Sequence, residues 1–137
     1  MKTNWTTADI PSQAGRRAVI TGGNSGIGFE TAVALARKGA ELILPARTQG
    51  KAEDAVARIL KQVPNAQLHP EILDLAVQAS VHTFANRVVE RFPGQSLDLL
   101  INNAGVMALP TREVTGDGFE RQFATNYGNY ILDTQYD

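Results

Sequence analysis

Three glycines, Gly22, Gly26 and Gly28, follow a short apolar run, Ala18-Val19-Ile20, and open a stretch of helical character, Ile27 to Arg37. Strand, glycine turn and helix in that order form an anion site, because a helix N-terminus presents free N–H groups and the positive end of its dipole. In such a turn Gly22 permits the tight reversal, Gly26 lets a pyrophosphate approach the main chain, and Gly28 lets the helix pack on the strand. No lysine follows these glycines, so the pattern is not the Gly-Lys-Ser/Thr loop of the nucleotide triphosphatases. A tight turn that holds no ligand would use the same glycines. A second chemical position follows the next apolar run, Glu41-Leu42-Ile43-Leu44, which continues as Pro45-Ala46-Arg47-Thr48. Dinucleotide sites carry an acidic residue about 20 positions past the glycines to bind ribose hydroxyls. Here there is no carboxylate. Arg47 can instead grip a 2′-phosphate through a charge-assisted fork, although a solvated surface arginine would look the same in sequence.

The segment Thr21-Gly22-Gly23-Asn24-Ser25-Gly26-Ile27-Gly28 resembles the TGxxxGxG signature of the short-chain dehydrogenase/reductase superfamily. The resemblance runs from about Trp5 to about Ile131 and is greatest to the retinol-dehydrogenase-like, NADP(H)-dependent branch. The extended epimerase branch would need a glycine where Ser25 stands. Ala46 stands where NAD-preferring relatives carry aspartate, so the resemblance implies NADP(H) in preference to NAD(H). Further along, Asn102-Asn103-Ala104-Gly105 is similar to the family's NNAG motif, where Ala104 and Gly105 permit the backbone to pass close to the cofactor ribose. The asparagine amides there can cross-link strands where backbone pairing runs out. Asp74-Leu75 matches the pair that contacts adenine in the family; Asp74 is equally suited to capping the next helix. The resemblance thus assigns cofactor contact to Gly22, Asn24, Ser25, Gly26, Ile27, Gly28, Arg47, Thr48, Asp74, Leu75, Asn103, Ala104 and Gly105.

The chemistry that the resemblance implies is hydride transfer between NADP(H) and a carbonyl or alcohol substrate. The family uses a tyrosine as general acid/base, a lysine four residues later, a serine and an asparagine. Asn126, in Gln122-Phe123-Ala124-Thr125-Asn126-Tyr127, matches the supporting asparagine, although a residue that caps or kinks a helix reads the same way. The other three have no match. The last lysine is Lys61 and no serine follows Ser96, so Tyr127, Tyr130 and Tyr136 lack a Tyr-x-x-x-Lys partner. An unassisted phenol, with a pKa of about 10, is a poor base at neutral pH. The expectation is the cofactor-binding half of such an oxidoreductase, inactive alone. The alternative is a non-enzymatic NADP-binding module or a degenerate fragment.

The rest of the chain supplies the elements that must hold these positions. Its 137 residues fit one domain, with 43% hydrophobic and 20% charged residues, as in ordinary soluble proteins. A net charge of −1 leaves no footprint for nucleic acid or an anionic membrane. There is no cysteine and only two histidines, His69 and His82, so disulfides are excluded and a zinc site is not expected. No signal peptide or apolar run of membrane-spanning length is visible, and a cytoplasmic protein is expected. Residues 1–15 read as a lead-in in which Trp5 and Ile10 pack on the domain. Residues 16–137 read as an incomplete NAD(P)-binding Rossmann domain.

The first helix should end near Lys38-Gly39. Ala52, Ala55, Val56, Ile59, Leu60 and Val63 form one apolar stripe that predicts a second helix, and Val81, Phe84, Ala85, Val88, Val89 and Phe92 predict a third. Gln67 to Leu73 reads as an edge strand, because Pro70 sits in its middle. Leu97 to Ile101 reads as a fourth strand, and Phe119 to Tyr127 as a further helical segment. This alternation predicts an α/β Rossmann-type parallel sheet of order 3-2-1-4 with helices on both faces, truncated relative to the full family fold. The exposed edge of the fourth strand makes self-association an expectation.

Overall fold

The computed structural model describes residues 4–95 and 97–104. Four strands, β1 (Arg17–Ile20), β2 (Glu41–Ala46), β3 (Gln67–Ile72) and β4 (Leu99–Ile101), form one parallel sheet of order β3-β2-β1-β4. Helices α1 (Gly26–Arg37), α2 (Gln49–Gln62) and α3 (Gln78–Arg91) connect them, and a short 3₁₀ turn, Thr7–Asp9, precedes the first strand. This is the Rossmann-type arrangement expected from the sequence. Every strand runs the same way, so all four carboxyl ends reach one edge of the sheet.

The period of two along each strand divides the interior. Ala18, Ile20, Leu42 and Leu44 pack with Ala32, Val33 and Ala36 of α1 and Ile59 of α2. Val19 and Ile43 point to the opposite face and pack with Leu73, Leu75, Val81 and Phe84 below α3. Both faces of the two central strands are therefore dry, which is why they read as continuous apolar runs. Pro45 and Pro70 lie within ladder-paired strands: Pro70 pairs with Leu44 and sits in β3, an edge of the sheet, where a missing N–H can face away from the ladder.

One strand boundary and one packing contact differ from expectation. Pairing of β4 begins only at Ala18 with Leu99, not at Leu97. Immediately before it the Arg17 N–H donates to the Asp98 carboxylate at 2.9 Å, while the Asp98 N–H donates to the Arg17 carbonyl at 2.9 Å. A side chain has replaced one rung of the ladder. Trp5 is exposed, not packed on the domain. The lead-in is held by polar stitches instead: the buried Gln13 donates its N–H to the Lys38 carbonyl at 2.7 Å, and Lys38 Nζ donates to the Ala8 carbonyl at 3.1 Å. Lysine at the C-terminal cap of α1 can make that bond; an indole on the surface adds little to it.

Candidate dinucleotide site

The site is built where the strands end. Thr21, one residue past β1, is 1% exposed, and its hydroxyl is the hub between β1 and β4. It donates to the Ile101 carbonyl at 3.3 Å and accepts the N–H groups of Asn103 at 3.0 Å and Ala104 at 3.1 Å. A buried hydroxyl with three partners fixes the segment after β4 against the turn after β1. Asn103 adds an amide link, Nδ2 to the Gly22 carbonyl at 3.4 Å, across the place where strand pairing stops. The sequence motif contains Thr21, but its spacing alone assigned the residue no role. A hydroxyl ending an apolar strand was the available signal.

This close approach explains two of the glycines. Gly22 has φ +71°, and a Cβ there would lie 2.9 Å from both Ala104 Cα and Asn103 Nδ2. A Cβ on Gly28 would overlap the Gly22 carbonyl, whose carbon would be 2.8 Å away, and the Asn103 amide. Gly28 thus packs against the turn itself and the NNAG segment, a tighter requirement than helix-on-strand packing. Gly26 is different. Its φ of +57° requires glycine, yet nothing lies within 4 Å of where a Cβ would point. The open space is beside the first turn of α1.

That helix end fits an anion. Ser25 is its N-cap residue, but the hydroxyl makes no capping bond, whereas Thr48 at the start of α2 accepts from the Lys51 N–H at 3.2 Å. The first-turn amides of α1 are left to an external acceptor. Ile27 projects there with 80% of its surface exposed, an apolar residue placed where a flat ligand would cover it. Asn24, with an intermediate burial, and Ser25, exposed, complete the turn.

The other expected contacts lie on the same edge. Arg47 follows β2 directly and is exposed; among the described residues it has no hydrogen-bond or ion-pair partner. Thr48 is exposed beside it. Asp74 follows β3 and closes a local turn by accepting the Ala76 N–H at 3.0 Å, while its own N–H donates to Ser80 Oγ at 2.8 Å. It does not cap α3, whose N-cap is Val77. Leu75 is buried in the face below α3. Gly105, Asn126 and the segment Phe119 to Tyr127 lie outside the described residues. Among the described residues no cluster of histidines and carboxylates could hold a metal ion, and no helix is long and apolar enough to cross a membrane.

A parallel sheet with a glycine turn at its β1 end and a polar hub joining β1 to β4 is the architecture of a dinucleotide-binding oxidoreductase. The family profile for short chain dehydrogenase matches residues 16–136, and the chain belongs to that family. Human retinol dehydrogenase 13 is 40% identical over 136 residues, covering 96% of this chain and 40% of the human protein. The bovine dehydrogenase/reductase SDR family member 12 is 43% identical over 122 residues, covering 88% of this chain and 37% of its own length. The chain therefore spans about two-fifths of the length of such curated relatives. Among solved structures, the RhlG/NADP active-site complex of Pseudomonas aeruginosa superposes with a TM-score of 0.74 at 30% identity, covering 91% of this chain and 47% of that one.

Proposed function

We propose that the strand-end site binds NADP(H) and serves hydride transfer between that cofactor and a small carbonyl or alcohol substrate. The observation that carries the NADP(H) preference is Arg47: an exposed guanidinium without a partner among the described residues, placed immediately after β2, where Ala46 takes the position of a carboxylate. A carboxylate there would repel a 2′-phosphate, whereas an arginine can fork onto it. The NADP held by the Pseudomonas aeruginosa relative supports the same choice.

In this reading the first-turn amides of α1 receive the pyrophosphate, and the open space at Gly26 admits it. Asn24, Ser25 and Ile27 line that approach. Arg47 and Thr48 hold the 2′-phosphate, Asp74 and Leu75 border the adenine, and Asn103, Ala104 and Gly105 pass the ribose. Asn126 supports the catalytic centre. When bound, the nicotinamide would supply the hydride to a carbonyl or accept it from an alcohol. The residues of this sequence bind and orient the cofactor; a serine and a Tyr-x-x-x-Lys pair for the proton are not among them, so the chain by itself is expected to show no turnover. Among the described residues no strand pairs with the outer edge of β4, and that edge is the proposed place for self-association.

Titration of the chain with NADPH and NADH, followed by nicotinamide fluorescence, tests the assignment. The wild type should prefer NADPH, and Arg47→Ala should weaken NADPH by about tenfold while changing NADH little. An unchanged ratio would remove the NADP(H) assignment. Failure to bind either dinucleotide would remove the reading of the site.

A further inference from the structure

Arg58 stands in α2, 34 positions from Asn24 in the chain, yet its guanidinium reaches the glycine turn. Its Nη2 donates to the main-chain carbonyl of Asn24. The guanidinium also lies over the Phe29 ring of α1, 4.4 Å from the ring centre. Its Nε is buried and faces the Asp54 carboxylate one helical turn earlier at 3.3 Å, an ion pair without the angles of a hydrogen bond. One side chain thus ties α2 to α1 and to the turn between β1 and α1.

The turn needs such a donor. A loop that aims its amides at an anion must aim some carbonyls elsewhere, and a carbonyl in a fixed direction needs a partner to stay there. The Asn24 carbonyl sits in the middle of the turn, between Gly22 and Gly26. The Arg58 side chain is 40% exposed, so its attraction to Asp54 is screened by solvent. What remains is geometric: a planar group stacked on one ring, with a donor aimed at one oxygen. Lysine carries the same charge but cannot reproduce both contacts.

We propose that Arg58 is a positioning residue that sets the glycine turn for the dinucleotide phosphates by holding the Asn24 carbonyl. The proposal rests on the turn being the dinucleotide site. It differs from the role of Arg47 in a measurable way. The pyrophosphate is common to both cofactors, so Arg58 should affect NADPH and NADH by the same factor, whereas Arg47 should alter their ratio.

The test uses the chain with Arg58→Gln and Arg58→Lys, read in two ways. Hydrogen exchange of the peptide Thr21 to Phe29, without ligand, should become faster in both variants while peptides from β2 and α3 keep their protection. Affinity for NADPH and for NADH should fall together by about tenfold in Arg58→Gln and by less in Arg58→Lys. Unchanged exchange in the turn would overturn the proposal. Exchange rising throughout the domain in Arg58→Lys as well as Arg58→Gln would assign Arg58 to the general fold, and a loss confined to NADPH would assign it to the 2′-phosphate; either result overturns the proposal. Should the wild type bind neither dinucleotide, the cofactor reading fails, and with it the role toward phosphates. The exchange experiment still decides whether Arg58 holds the turn.

Discussion

The two ends of the sheet use polar residues in opposite ways. At the amino end, Arg17 of β1 donates Nε to Glu41 Oε1 of β2 at 2.9 Å and Nη2 to the Gln95 side chain, and it lies over the Phe92 ring at 3.8 Å. His69 of β3 places Nε2 2.8 Å from the other Glu41 oxygen and meets the edge of the same Phe92 ring. Three neighbouring strands and the segment after α3 are clamped by one closed network. At the carboxyl end, Ser25 caps nothing, Gly26 faces open space, Ile27 is exposed and Arg47 has no partner among the described residues. One end spends its hydrogen bonds on the fold, and the other leaves them for a ligand. Thr21 and Asn103 at the carboxyl end do form bonds, and those bonds hold main chain.

The comparison breaks most sharply at Gly28. A side chain there meets the Gly22 carbonyl and Asn103, neither of which can move without opening the Thr21 hub. Gly28→Val should cost about 3 kcal/mol of stability or more and abolish dinucleotide binding. Urea unfolding and the fluorescence titration measure the two effects. Wild-type affinity in this variant would mean that the packing around the turn does not shape the site.

At the other end the same scale of damage should leave the site alone. Arg17→Met removes the cation from Glu41 and His69 while retaining an apolar side chain beside Phe92. Its side chain is 13% exposed, so a loss of about 2–3 kcal/mol is expected, because Glu41 keeps a partly buried charge with one partner fewer. Under conditions where the variant is folded, its NADPH/NADH affinity ratio should equal that of the wild type. A changed ratio would show that the two ends are coupled through the sheet.

How much of this was legible in the sequence follows from the range of each interaction. Strand order, helix stripes and the edge position of β3 were readable because periodicity and a single proline are local signals. Gly22 and Gly26 were readable because a turn imposes its own φ. The Gly28 contact was assigned to helix-on-strand packing, whereas its neighbours are the turn and Asn103, 75 positions away in the chain. The amino-end network was invisible for the same reason: Arg17, Glu41, His69, Phe92 and Gln95 have no common spacing and meet only through strand register. Arg58 was given no role, because its partners Asn24 and Phe29 belong to a distant turn and helix. Trp5 was misjudged because an aromatic residue was expected to find a surface, while polar contacts at Gln13 and Lys38 had already fixed the lead-in.

The smallest expected effect is the pH dependence of the amino-end network. Burial raises the pKa of the Glu41 carboxyl, but hydrogen bonds from His69 and Arg17, with the positive charge behind them, outweigh it and hold the carboxyl below its ordinary 4.5. The folded state therefore binds the proton less readily than the unfolded state. The resulting stabilisation is fully present above the unfolded value and is lost as pH falls through the folded value. Acid unfolding sums over all titrating groups, so the quantity to measure is the difference between wild type and Glu41→Gln. That difference should favour the wild type by about 1 kcal/mol near neutral pH and shrink steadily below about pH 4.5 in urea unfolding. A difference independent of pH would mean that the Glu41 charge is not what closes the network. The clamp would then rest on the Arg17 contacts with Phe92 and Gln95, and the contrast between the two ends would not depend on the Glu41 charge.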